Sequence, residues 1–390
     1  MDFAFTEEQE LLRDSIQKFV RENYELPTRR KLAKPKPGYS EENWQTYAEL
    51  GWLGVPFPEE YGGIGGNLID TMVVMEEFGR GLVLEPYFPT VVMMGNALLL
   101  GGTESQKQKI IPEIVEGKAK GTVAFVEEQA RYDLADVATT ASESGGGYLI
   151  NGTKSVVMNA ATADYIVVTT RTSGERADSA GITLFLVDAN AEGISRLDYP
   201  TVDGLRASEV TFENVKVTNA DVLGQVGEGL SVIEQVVDRG ILALGAEAVG
   251  MMEVLYQDTT EYTSQREQFG HPLANFQTVK HRIVDMFVDA ELTRSLLYRA
   301  TLEVQAGHED AKLDVHALKH MVGKAGRFVG QSAVQLHGGM GQTEELRVGH
   351  YFVRLAAIDA HFGDKDHHLA KYADMMPIPE GEPDANMLPF

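Results

Sequence analysis

The sequence predicts an α+β multidomain protein. An N-terminal all-α domain spans 1–118, a middle antiparallel β-domain 119–226 and a C-terminal α-helical bundle 227–376, closed by a tail at 377–390. Three observations carry this reading. The 390 residues are enough for two or three cores. Apolar residues recur at helical spacing up to residue 118, alternate from 119, and return to helical spacing from Glu228. Composition is that of a globular chain, 43% hydrophobic and 24% charged.

Thr6-Glu7-Glu8-Gln9 has the pattern of a capping box, and Leu11, Leu12, Ile16, Phe19 and Val20 follow on one helical face. Helical text returns through Tyr47, Leu50, Leu53 and Val55, then stops at the turn from Pro56 to Gly66. No strand precedes that turn and it lacks GxGxxG or GK[ST], so a mononucleotide loop is not expected. Residues 68–118 read as helical, with Met72, Met75, Met93 and Met94 as ordinary core. In the middle, 122–126, 148–150, 155–158, 165–168, 182–187 and 210–212 read as short strands. Three long helical runs follow, from Glu228, over 278–305 and over 314–336.

Charge and cysteine usage exclude several classes. A formal charge of −24 opposes sequence-independent binding to nucleic acid or an anionic membrane. With no cysteine there is no disulfide, iron–sulfur cluster or thiolate zinc site. Asp2, Glu7 and Glu8 have the wrong charge for a secretory or transit signal, and the apolar runs are too short for a bilayer. A cytoplasmic protein without a membrane span is expected. The adjacent histidines of the Asp/His cluster at 364–368 point to different helix faces, so no metal site is expected there.

Two stretches carry more than helix punctuation. Arg266-Glu267-Gln268-Phe269-Gly270-His271-Pro272-Leu273-Ala274-Asn275-Phe276-Gln277 reads as a turn between two helices. Arg266 and Gln268 offer planar donors to a phosphate or a nucleotide edge, Phe269 offers a ring face, and Gly270 permits a sharp turn. Gln335-Leu336-His337-Gly338-Gly339-Met340-Gly341 ends a helical run in glycines that let a backbone approach a ligand.

In this order the two motifs, RxxFGxPLxxFQ and QxxGGxG, resemble the acyl-CoA dehydrogenase family, and the similarity extends over residues 3–375. The Pro58-Glu59-Glu60-Tyr61-Gly62-Gly63 turn also matches. The resemblance implies FAD as cofactor and an acyl-CoA as substrate. A carboxylate would remove the proton α to the thioester and the flavin would take the β-hydride. It implies that Arg266, Gln268, Phe269, Gln335 and Gly339 hold the pyrophosphate and adenosine end of FAD across a subunit interface. Val126, Glu128, Val157 and Met158 would meet the flavin ring, although the glycine-rich turn and the tryptophan usual there are absent. An electron-transferring flavoprotein is the expected electron acceptor.

The base departs from the family pattern. Gly363 stands where the usual Glu would be, with Asp364 one residue on, and the alternative position falls near Gly240. Asp364 is the expected base. Asp238, Glu247 and Glu85 are further carboxylates, each expected on a solvated helix face or as an N-cap. The phrases 238–250 and 362–369 resemble the small subunits of bacterial pimeloyl-CoA-type and steroid-side-chain dehydrogenases. The chain would then pair with a copy of itself or a larger homologous subunit. Two readings stay open: a desaturating enzyme, or a partner subunit that helps bind FAD while another chain supplies the base. An FAD oxidase or reductase is a third.

Overall fold

The computed structural model describes residues 5–376, so the tail at 377–390 lies outside the described residues. The N-terminal helices are α1 (Glu7–Asn23), α2 (Leu26–Ala33), α3 (Glu41–Glu49), α4 (Leu68–Gly81), α5 (Gly95–Gly101) and α6 (Glu104–Val115). Local chemistry sets their starts. Thr6 Oγ1 accepts from Gln9 N at 3.2 Å while Gln9 Oε1 accepts from Thr6 N at 3.0 Å. Asn67/Asp70 and Thr103/Gln106 repeat the reciprocal pattern at α4 and α6. A π-helical turn, Phe88–Met94, leads into α5, a rare geometry concentrated at functional sites.

The middle unit is one eight-stranded sheet. Its strands are β1 (Gly121–Ala124), β2 (Thr140–Ser144), β3 (Gly147–Met158), β4 (Tyr165–Arg171), β5 (Ile182–Asp188), β6 (Ile194–Pro200), β7 (Arg206–Thr218) and β8 (Val222–Leu223). The order is β6-β7-β3-β2-β4-β5-β8, with β1 on β4. The sheet is mixed rather than purely antiparallel, because β1 runs parallel to β4 and β2 meets β4 in parallel at Thr140 and Arg171. The segments 148–150 and 155–158 are one strand, β3, carried through register shifts at Ile150/Gly152 and Lys154/Val157.

The C-terminal bundle holds α7 (Leu230–Gln265), α8 (Gln277–Ala306), α9 (Ala311–His337), α10 (Arg347–Ala360) and α11 (Lys365–Met375). Between α7 and α8 a two-residue hairpin pairs β9 (Glu267–Gln268) with β10 (His271–Pro272). Its loop residues Phe269 and Gly270 both have positive φ, 56° and 80°, the geometry that two-residue hairpins demand.

The two helical units share one core that also takes in Val123, Val167, Ile182, Leu184 and Leu223 of the sheet, while other sheet residues form a second core. Backbones of α4 and α7 meet closely. A Cβ on Gly79 would lie 2.1 Å from Glu247 O, and one on Gly250 2.1 Å from Glu76 O. Met72, Met75, Met93 and Met94 are all buried in that shared core. No helix among the described residues is long and apolar enough to cross a membrane.

Candidate active site

A cavity of about 420 Å³ lies where the three units meet. The π-helical turn contributes Phe88, Pro89 and Met93, and the β-domain contributes Thr122, Val126, Ser155 and Met158. One face of α7 (Leu230, Glu234, Val237, Asp238, Ile241) forms another wall, and His316, Phe362, His367 and His368 close it from α9 and the α10–α11 corner. Arg131, Val156 and Phe362 also line it with φ of 50°, 51° and 62°. For a β-branched valine that conformation is an outlier, and such strain concentrates at functional sites.

Next in sequence to the cavity-lining Val126 and Ser155, Glu127 and Lys154 form a buried ion pair. Lys154 Nζ lies 2.6 Å from Glu127 Oε1 and donates to Thr169 Oγ1 at 2.9 Å. Glu127 also accepts from Ala138 N and Thr139 N. Burial would raise the Glu127 carboxyl, yet Lys154 and these donors hold it down at about 2. Ser155 N donates to Val126 O at 2.8 Å, which locks the 126–133 loop onto β3.

The carboxylates sort by their partners. Among the described residues, Asp133, Glu234 and Asp238 line the cavity. Asp133 accepts from Ala135 N at 2.9 Å, and Glu234 pairs with Lys312 at 3.0 Å. Asp238 has no hydrogen-bond or ion-pair partner among the described residues. Burial pushes its carboxyl up to about 6, against the pull of Lys312 and with help from Glu234. Asp364 sits elsewhere. It is the N-cap of α11, its Oδ1 accepting from Asp366 N at 3.1 Å and His367 N at 2.8 Å, and it is not part of the cavity wall.

Gly363 is closed to any side chain. Its φ is +119°, and a Cβ there would fall 2.6 Å from His367 Cδ2 and 2.8 Å from His368 Nε2. His368 Nε2 donates to Phe362 O at 3.1 Å, so its Nδ1 accepts from His316 Nδ1 at 2.9 Å. Burial lowers both rings, to about 3 and about 4, so both are neutral at pH 7. A neutral histidine pair therefore fills the space beside the usual base position. Among the described residues no group of three or more metal-ligating side chains converges.

Like Asp238, Glu247 and Glu85 depart from the solvated or capping position expected of them. Glu247 is buried and bound by Arg354 through Nε (2.6 Å) and Nη2 (2.8 Å), while Arg354 Nη1 reaches Asp203 at 2.8 Å. Glu85 is buried and accepts from Ser40 N, Asn43 Nδ2 and Tyr47 OH. Of the ring-contact candidates, Val126 and Met158 line the cavity. Glu128 is exposed and Val157 is packed in the β-domain core.

The residues fit FAD at two separate places. At the cavity, the lining from Val126 to Met158 supplies a partly apolar wall of the size a flavin ring needs. At the far end of the bundle, Tyr262 stacks on His337 with centroids 4.3 Å apart. This contact brings the ends of α7 and α9, and so both motifs, together. Arg266, Gln268, Phe269, Gln335 and Gly339 are exposed there, and a Cβ on Gly339 would meet nothing within 4 Å. Among the described residues the Arg266 guanidinium and the Gln335 amide take no partner. Along α7, Arg266 lies about 42 Å beyond Asp238 at 1.5 Å per residue.

Comparison with known proteins agrees with this architecture. Residues 6–118, 122–215 and 227–376 match the N-terminal, middle and C-terminal domains of acyl-CoA dehydrogenases. The chain is 32% identical to the mitochondrial isovaleryl-CoA dehydrogenase of Solanum tuberosum, over 89% of this chain and 85% of that one. Among solved structures it is similar to butyryl-CoA dehydrogenase from Megasphaera elsdenii, with a TM-score of 0.88, 27% identity and coverage of 96% and 99%. It is equally similar to a chain of the ChsE4-ChsE5 complex from Mycobacterium tuberculosis, with a TM-score of 0.88, 27% identity and coverage of 97% and 100%. The chain belongs to the acyl-CoA dehydrogenase family.

Proposed function

We propose that this chain desaturates an acyl-CoA at its α,β bond in the cavity described above, with Asp238 as the base. The chemistry is that of its family, FAD-dependent dehydrogenation of an acyl-CoA thioester. The observation that carries the assignment is the state of Asp238, a cavity-lining carboxylate with no hydrogen-bond or ion-pair partner among the described residues, held at about 6. A base works best when its pKa lies near the working pH. Asp238 is ionised at pH 7 and becomes protonated as it takes the α-proton. When bound, the flavin supplies the acceptor for the β-hydride. Phe88, Met93, Val237 and Ile241 give the acyl chain an apolar, water-poor wall.

Arg266, Gln268, Phe269, Gln335 and Gly339 would hold the far end of a neighbouring protomer's FAD, and an electron-transferring flavoprotein would take up the electrons. An exposed apolar stripe on α8, formed by Val284, Phe287, Val288 and Leu292, supports the presence of a second chain.

Gly363, together with the similarity to a chain of the ChsE4-ChsE5 complex, favours a second reading, in which this chain is the partner of a homologous subunit that supplies the base. An anaerobic titration of the purified chain with acyl-CoAs, followed at the flavin absorption band, separates the two. Bleaching by the chain alone is expected. Bleaching that appears only after a homologous subunit is added would replace the first reading with the second.

A further inference from the structure

Three phenyl rings meet on the wall of the main cavity. The Phe362 ring lies 5.9 Å from that of Phe125 between centroids, with planes 23° apart, and 6.2 Å from that of Phe88. All three line the cavity, and each comes from a different unit of the fold. Phe185 and Phe212 are fully buried, as core rings are. Phe125 and Phe362 are only half-buried, so part of each ring is left open on the cavity wall.

The Phe362 ring is fixed on both sides. Its backbone has a φ of 62°, which a bulky residue keeps only where its surroundings hold it. Lys319 Nζ, from α9, donates to Asp359 O at 2.8 Å and to Gly363 O at 2.6 Å. His368 Nε2 holds Phe362 O between them. On α7, Gly240 makes room for the ring. A Cβ there would fall 3.1 Å from Phe362 Cε2 and Cζ and 2.8 Å from Met93 Sδ. A thioether sulfur and a ring edge thus converge at one point, and both favour contact with aromatic groups.

Helix geometry separates this wall from Asp238. At about 100° per residue, Gly240 lies about 160° around α7 from Asp238. Val237 and Ile241 occupy the face between and line the cavity. An acyl chain with its thioester at Asp238 would cross Val237 and Ile241 to reach the rings. We infer that the wall of Phe88, Phe125 and Phe362 is a subsite for an aromatic ring at the far end of the acyl chain. The inference rests on the reading of the main cavity as the acyl-CoA site, and it names the substrate class as ω-aryl acyl-CoAs.

The test uses the FAD-loaded protein with its flavin reduced under anaerobic conditions, so that no ligand is turned over. Acyl-CoAs ending in phenyl are compared with their cyclohexyl counterparts as the chain is lengthened one carbon at a time. Cyclohexyl has similar bulk and is the more apolar, so burial of area alone gives phenyl no advantage. Calorimetric titration is expected to show one chain length at which phenyl binds about fivefold or more tighter.

Phe125→Leu and Phe362→Leu each keep an apolar side chain and remove one ring. Either is expected to narrow the phenyl-to-cyclohexyl ratio at that length, with FAD content retained. A ratio near one at every length, or a ratio that neither variant moves, would overturn the subsite. Loss of FAD from Phe125→Leu would also overturn it, because the rings would then serve the flavin. Failure of every acyl-CoA to bind would remove the reading of the cavity and this subsite with it. A phenyl preference found together with unslowed turnover in Asp238→Asn would remove Asp238 as base and leave this subsite standing.

Discussion

At the scale of single residues, the site turns on Asp238 and Gly363. A side chain at Gly363 meets His367 and His368, so restoring a Glu there is expected to disrupt the α10–α11 corner rather than create a base. Asp238→Asn keeps the shape and removes the proton acceptor, and loss of a positioned base typically costs about 10²–10⁴-fold. The pH dependence has a definite sign. The folded-state pKa of Asp238 is raised from 3.8 to about 6, so kcat/KM should rise as pH passes upward through about 6. The stability contributed by the protonated group is full below 3.8 and lost as pH rises through the folded value. Asp238→Asn is therefore expected to stabilise the protein at pH 8, by about 1–2 kcal/mol once partial exposure is discounted. Thermal melts at pH 5 and pH 8 check this. Little of it is legible in the sequence. On α7 alone, Asp238 next to Arg239 looks like a solvated face, and only the convergence of α9 and the β-domain makes it a cavity residue.

At the scale of elements, β3 shows why Met158 but not Val157 reaches the cavity. Lys154 and Val157 both face inward although they are three apart, which strict alternation forbids. The register shift between them re-aims the strand, leaving Val156 and Met158 at the cavity. Strands β2, β6 and β8 escape a reading by hydrophobic alternation because β2 and β6 are mostly exposed or half-buried and β8 is two residues long. The turn after α7 was legible from Gly270, but its pairing as a two-residue hairpin was not. Arg266→Ala should leave the fold intact and lower the FAD-to-protein ratio on gel filtration. The ion network of Arg354, Glu247 and Asp203 ties α10 to α7 and the β-domain. Arg354→Ala leaves two buried carboxylates unpaired and should cost about 3–5 kcal/mol in chemical denaturation. Asp364→Ala should cost about 1 kcal/mol through its lost cap on α11.

At the scale of the whole molecule, the three-unit layout was legible because the hydrophobic period changes at the unit boundaries. What the sequence did not show is that the outer units fuse into one core through the α4–α7 glycine contacts. The cavity is lined by residues of all three units, so only the folded chain assembles it. Assembly belongs to this scale too. In the assembly proposed above, Val288→Glu with Leu292→Glu should break the contact between protomers, read as a smaller mass in light scattering, and release FAD with it. The most direct test of the function is rapid anaerobic mixing of FAD-loaded protein with an accepted acyl-CoA, comparing the wild type with Asp238→Asn. Flavin reduction slowed at least a hundredfold in the variant, with FAD content and acyl-CoA affinity unchanged, is the expected result. Reduction at the wild-type rate would contradict Asp238 as the base.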